Sequence, residues 1–255
     1  MVKNTRMPLL DERLNQALCM VPECECCADV GADHGLLSLA LLVSKRVKHM
    51  YVSDISEKAL QKSKNLLAKH GLSEYATYNA CDGLSELPAF GVDTICILGM
   101  GGQTVEKILE DGQSKLQNAT LVLGAQTDLP SLRKKLPNLG YCIEKESIIK
   151  VGKHFYVLMR CIPEKNQIDY NDAECWLGPR LMHEPSQCYY EWLMSRVKTL
   201  DYAIKSMQTA KNNKDEMRLK LTMREKECTM QALHDIKDRG VNLDDNSTNN
   251  SILAE

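Results

Sequence analysis

The chain has 255 residues, with 32 basic and 34 acidic side chains and a formal net charge of -2. That length suits one α/β domain with a smaller appendage, and so even a charge excludes global steering of nucleic acid, leaving only a local basic patch. No run of about 18 apolar residues occurs, which excludes a membrane-spanning helix, and Met1 to Asp11 lack the apolar segment of a signal peptide, so a cytoplasmic protein is expected.

Leu9, Leu10, Leu14, Ala17 and Leu18 recur at near-helical spacing over residues 5–20, ahead of Pro22, and predict an amphipathic leading helix. Cys19, Cys24, Cys26 and Cys27, four of 11 cysteines, cluster before the first expected strand. Only Cys24 and Cys27 have C-x-x-C spacing, with no second pair to complete a zinc site, so reduced thiols and no metal are expected. A strand over 27–31 turns on glycine into a helix over 35–44, and a strand over 49–54 ends at Asp54. A helix from Ser56 to Lys69 stops at Gly71, and a strand over 75–80 leads into Cys81-Asp82-Gly83-Leu84. The strongest buried-strand pattern, Val92 to Leu98, empties into Gly99-Met100-Gly101-Gly102. A helix over 103–110, a strand over 119–125 and a helix over 128–138 follow, then strands near 141–150 and 154–161 with no helix between them. This alternation predicts a doubly wound, mostly parallel sheet closed by an antiparallel pair at one edge.

The pattern changes after Pro163. Leu193, Val197, Leu200, Ile204 and Met207 form an apolar seam, Lys211 to Lys214 break it, and Met217, Leu221, Met223, Met230 and Leu233 continue it on a second helix. An antiparallel helical hairpin, or coiled coil, is expected, ending at Gly240. Three parts result: a sheet domain over 1–163, a hairpin domain over 164–240 and a disordered tail over 241–255.

Carboxylates fall at three successive strand ends. Asp29 and Asp33 belong to Ala28-Asp29-Val30-Gly31-Ala32-Asp33-His34-Gly35, Asp54 ends the second strand, and Asp82 follows the third. In an open α/β sheet these tips share one crevice. Asp33 stands where a pyrophosphate-binding turn needs its second glycine, and a carboxylate there repels a diphosphate. An acidic turn suits a cofactor with positive charge, such as S-adenosylmethionine. Asp29 or Asp33 then meets its amino acid moiety, Asp54 its ribose and Asp82 the adenine amine. Gly31, Gly35, Ile55, Gly83 and Gly99 complete the cofactor-binding set. At the fourth tip, Gly99, Met100, Gly101 and Gly102 leave backbone bare for a flat base or a transferred methyl. The Asn/Asp-Pro-Pro-aromatic loop of amino-directed adenine methyltransferases is absent there, which points to another target nitrogen.

These features together resemble the bacterial tRNA (adenine(22)-N1)-methyltransferase family. The resemblance rests on Arg13-Leu14, Ala28 to His34, Cys81 to Leu84, Leu98 to Gly102, Gly178-Pro179 and the hairpin, and spans residues 5–235. It implies a Rossmann-like class I methyltransferase domain, S-adenosylmethionine as donor, and a hairpin that helps grip tRNA in the cytoplasm. Asp33 and Gly99 to Gly102 then shape the meeting point of base and methyl. His34 is a candidate for stacking or hydrogen bonding to the base, against the plainer reading of a local hydrogen-bonding residue. The adenine must leave the folded tRNA to be reached. Lys211, Lys214, Arg218 and Lys220 near the hairpin tip are the candidate phosphate contacts, with Arg133, Lys134 and Lys135 as a second patch. Two stretches depart from the family. Gly35-Leu36-Leu37-Ser38 replaces Ala-Tyr-Leu-Pro, and Gly124-Ala125-Gln126-Thr127-Asp128 replaces a Gln-Pro-Asn region. The competing readings are a methyltransferase of another substrate, a catalytically dead relative, and a non-catalytic module whose seam residues self-associate. The expected enzyme is a monomer.

Overall fold

The computed structural model describes residues 6–88, 90–166, 168–209 and 215–239, and the chain divides into two compact units between Tyr170 and Asn171. The first unit runs α1 (Glu12–Met20), β1 (Cys24–Val30), α2 (Leu36–Val43), β2 (Val47–Asp54), α3 (Glu57–Lys69), β3 (Ala76–Ala80), β4 (Thr94–Met100), α4 (Gly102–Asp111), α5 (Gln113–Leu116), β5 (Thr120–Ala125), α6 (Leu129–Lys135), β6 (Tyr141–Val151) and β7 (His154–Pro163). Its single sheet has the order β3-β2-β1-β4-β5-β7-β6. The first five strands in that order are parallel, and β7 is antiparallel to both its neighbours. The expected Rossmann-like methyltransferase architecture is therefore the observed one.

Strand order reverses between β1 and β4, which opens a crevice at the carboxyl ends of these strands. Helices on both faces bury the central strands completely: Ala28, Ile95, Cys96, Ile97, Leu121, Val122 and Leu123 have no exposed surface. Strands covered on both faces read as unbroken apolar runs, and 95–98 and 121–123 do so.

Several boundaries differ from the sequence reading, each for a local reason. The leading helix starts at Glu12, because Asp11 caps it by accepting the Leu14 N–H at 2.9 Å. The cysteines at 24, 26 and 27 lie within β1 and not ahead of it, and the Cys27 and Cys96 sulfurs meet at 3.7 Å inside the sheet. Strand β4 runs through Gly99 to Met100, with its pairing to β5 shifting between Leu98 and Met100. The helix expected over 128–138 is shortened to α6, followed by a 3₁₀ turn over Leu136–Leu139 that carries Pro137. The first unit extends past Pro163 because Glu164 N–H donates to Gly140 C=O and Ile143 N–H donates to the Tyr170 hydroxyl, both at 2.8 Å.

The second unit holds α7 (Asp172–Leu177), α8 (Pro179–His183), α9 (Gln187–Thr209) and α10 (Glu216–Asp238). The sequence reading missed α7 and α8. An Asn171–Glu174 capping box starts α7, and Gly178-Pro179 ends one short helix and opens the next. The long helices α9 and α10 pack together as the expected hairpin, joined by Arg196–Glu225 and by Lys226–Asp201 at 2.7 Å. The seam on α10 is not the one expected. Thr229, Ala232 and Ile236 are buried, whereas Met217, Leu221, Met223 and Met230 are exposed. On α9, Leu193 and Leu200 of the expected seam are buried. Lys211, Lys214, Gly240 and the tail over 241–255 lie outside the described residues. Among the described residues, no helix is long and apolar enough to cross a membrane.

Candidate active site

A cavity of about 390 Å³ lies in the crevice of the first unit. Its wall runs from Asp29 and the Gly31–His34 turn, across Leu98 and Gly99 of β4 and Gly124 to Gln126 at the end of β5, to Tyr156, Val157 and Leu158 of β7. Asp11, Arg13 and Leu14 from the start of α1 complete it, with Leu36 and Leu37 of α2. Of the sequence-predicted residues, Asp29, Gly31, Asp33, His34 and Gly99 meet in this wall.

The turn after β1 is held by the tip of β2. Gly31 and Ala32 donate their N–H groups to Ser53 C=O at 2.8 and 3.1 Å, and Asp33 N–H donates to Asp54 Oδ2 at 3.1 Å. The other oxygen of Asp54 accepts Ser56 N–H at 2.8 Å, so this carboxylate orders two backbone segments at once. Each oxygen keeps further acceptor capacity. Gly31 sits at φ +72°, and a Cβ there would lie 2.2 Å from Met100 Cε, so Met100 packs over bare backbone at this point. His34 is held locally, with Nε2 3.5 Å from Asp33 Oδ2 and 3.4 Å from Lys62 Nζ.

Asp29 is buried beneath the turn. Ser38 Oγ donates to its Oδ2 at 2.6 Å, which ties the strand to α2. Burial pushes its carboxyl up to about 6, against the pull of the Ser38 hydrogen bonds. Among the described residues no Lys, Arg or His pairs with Asp29.

The remaining predicted residues are placed around the cavity and outside its wall. Gly35 caps α2, with Ser63 against it. Ile55 follows Asp54 and is 76% exposed, and Asp82 is exposed beyond β3, whose last residue Ala80 pairs with Asp54. Gly83 packs on Ile108 of α4. Gly101 and Gly102 begin α4 against Thr127 and Asp128, where a Cβ on Gly102 would lie 2.5 Å from Thr127 O.

Sequence reasoning gave no site role to two of the wall residues, Arg13 and Tyr156. Arg13 was noted only as part of a motif, and its guanidinium lies 5.0 Å from the centre of the Tyr156 ring. Its Nε and Nη2 donate to Asp11 Oδ2 at 3.1 and 2.7 Å. No motif marked Tyr156, because β7 reaches the crevice only by running antiparallel.

The basic candidates are distributed unevenly. Arg218 and Lys220 are exposed at the start of α10 in the second unit. The expected second patch is reduced: Lys134 is exposed, but Arg133 is fully buried, with Nε donating to Glu146 Oε1 at 2.8 Å, and Lys135 pairs with Glu110. Arg133 and Lys135 are spent on intramolecular partners in the first unit. Among the described residues, no group of three or more His, Cys, Asp or Glu is placed to hold a metal ion.

Comparisons with known proteins agree with this geometry. A family model described as a methyltransferase domain matches residues 10–159. The chain is 25% identical over 238 residues to the tRNA (adenine(22)-N(1))-methyltransferase of Bacillus subtilis, covering 91% of this chain and 98% of that one. A Streptococcus pneumoniae protein proposed as a tRNA (m1A22) methyltransferase matches with a TM-score of 0.81 at 25% identity, over 89% of this chain and 100% of its own. The complex of that protein with S-adenosyl-L-methionine matches with a TM-score of 0.79 at 24% identity, over 89% and 100%.

Proposed function

The chain belongs to the methyltransferase-domain family, and from that we propose that it transfers a methyl group from S-adenosylmethionine to N1 of adenine 22 in tRNA, the reaction for which its Bacillus subtilis relative is named. The observation that carries this reading is the acidic crevice itself. Asp29 is buried in its wall without a cationic partner among the described residues, and Asp33 stands on its turn. A diphosphate would meet two like charges there, whereas an ammonium and a sulfonium are attracted. The wall therefore fits this donor. Asp29 and Asp33 would hold its charged end and Asp54 its ribose hydroxyls, with Ile55 and Asp82 beyond the tips of β2 and β3.

S-adenosylmethionine, when bound, supplies a methyl group on a cationic sulfur. Adenine N1 has an in-plane lone pair and no proton, so the residues need orient the base and balance charge without acting as a strong base. Leu36, Leu37, Leu98, Val157 and Leu158 keep the cavity apolar, which strengthens the field of each carboxylate inside it. Asp33 offers negative potential as the ring becomes cationic. Gly99, at φ +77°, keeps the tip of β4 free of side chain beside the reacting atoms. Arg218 and Lys220 of α10, with Lys211 and Lys214 just before them in sequence, supply phosphate contacts. The protein works as a monomer in the cytoplasm.

Two tRNA transcripts that differ only in carrying adenine or guanine at position 22 test this with labelled donor. Label is expected on the adenine transcript alone. Equal label on both, or none on either, overturns the reading.

A further inference from the structure

We infer that Tyr156 and Arg13 form the seat for the acceptor base, on the half of the crevice away from the donor carboxylates; this rests on the adenine-N1 reading above. Strand order divides the cavity. Asp29, Asp33 and Asp54 belong to β1, β2 and the turn between β1 and α2, on one side of β4, while β5 and β7 lie on the other side. Because β7 is antiparallel, with Leu123 opposite Met159, its early residues reach the carboxyl end of β5. That register is what carries Tyr156 to the cavity wall beside Gln126.

Among the described residues, Tyr156 is the one carbocyclic aromatic ring in the wall. Bases taken out of a folded RNA are held by stacking on such rings and on guanidinium planes, and both are present here, the guanidinium over one face of the ring. The ring is oriented by a chain of contacts. Arg13 lies over it, Asp11 holds the guanidinium through two donors, and the Leu14 N–H holds Asp11 at 2.9 Å. Helix α1 is itself fastened to β7, because Arg160 Nη1 donates to Met20 C=O at 3.4 Å. The charge balance also fits the reaction. A bare guanidinium would oppose a purine that gains positive charge, and Asp11 cancels it while leaving the planar group in place. Tyr156 is thus a positioning residue that selects a flat acceptor.

The test compares Tyr156→Leu and Tyr156→Phe in single-turnover methylation of tRNA, with S-adenosylhomocysteine affinity measured alongside. Tyr156→Leu is expected to slow methylation about tenfold or more, the scale of a lost base–aromatic stack. Tyr156→Phe keeps the ring and should stay within about twofold of wild type, and both variants should keep S-adenosylhomocysteine affinity within about twofold. Wild-type speed in Tyr156→Leu overturns the assignment. So does a parallel loss of S-adenosylhomocysteine affinity, which would put the ring on the donor side. If Tyr156→Leu does not fold, Arg13→Gln decides by the same two readouts: slower methylation with affinity intact supports the seat, and unchanged methylation removes it. A wild-type protein that labels no adenine fails earlier and separately, because it overturns the parent reading before any variant is compared.

Discussion

The main-chain N–H of Asp33 donates to the carboxylate of Asp54 at 3.1 Å, so the tip of β2 holds the turn that follows β1. Asp54→Ala removes this acceptor and the one for Ser56 N–H. Hydrogen bonds to a charged group contribute about 1.5–3 kcal/mol, so S-adenosylhomocysteine affinity should fall about tenfold or more while thermal unfolding stays cooperative. Titration calorimetry reads the first and circular dichroism the second. Undiminished affinity would mean that Asp54 orders nothing the ligand uses.

Gly31 faces two constraints, its φ of +72° and the Met100 methyl 2.2 Å from where a Cβ would stand. Gly31→Ala should destabilise the protein by about 1–3 kcal/mol in urea unfolding. Adding Met100→Ala relieves the clash and leaves the backbone strain, so it should restore only part of the loss. A single variant as stable as wild type would contradict the packing described.

Asp29 sets a pH dependence with two opposite arms. Its folded-state carboxyl is raised by burial from 3.8 to about 6, so the proton is held more tightly in the folded chain. The associated stability is fully present below the unfolded value of 3.8 and is lost as pH rises through about 6. Donor affinity runs the other way, because a cationic ligand needs the ionised carboxylate. S-adenosylmethionine affinity should therefore rise with pH through about 6, and Asp29→Asn should flatten both curves. Binding titrations and melts across that range check both arms, and a wild-type affinity independent of pH would rule out Asp29 as the group responsible.

Arg133 and Arg218 carry the same charge and should behave differently. Arg133→Met leaves Glu146 without its buried guanidinium, a class of change that costs about 3–5 kcal/mol, and the salt dependence of tRNA binding should not move. Arg218→Glu with Lys220→Glu should leave stability alone, weaken tRNA binding and flatten its salt dependence. A tRNA affinity unmoved by the double reversal would remove the hairpin tip from the interface.

The sheet domain was readable because its signals are local. Asp29 sits where an apolar run meets a glycine turn, Asp54 ends a second apolar strand, and 95–98 is apolar because both faces of β4 are covered. What sequence could not show depended on register and partner choice. Tyr156 enters the cavity only through the antiparallel placement of β7 beside β5. Arg133 read as a surface cation because nothing nearby in sequence reveals Glu146 across the α6–β6 packing. On α10, the spacing of apolar residues favoured Met217, Leu221 and Met223, yet the helix turns Thr229, Ala232 and Ile236 inward. Small side chains allow close helix approach, and an amphipathic pattern counts methionines before it counts alanine and threonine.

Nucleoside mass analysis of unmodified bulk tRNA, after incubation with the protein and labelled S-adenosylmethionine, tests the central claim most directly. The account predicts labelled 1-methyladenosine, mapping to position 22 of the tRNA. Label on any other nucleoside, or binding of the donor with no transfer to tRNA, would contradict it.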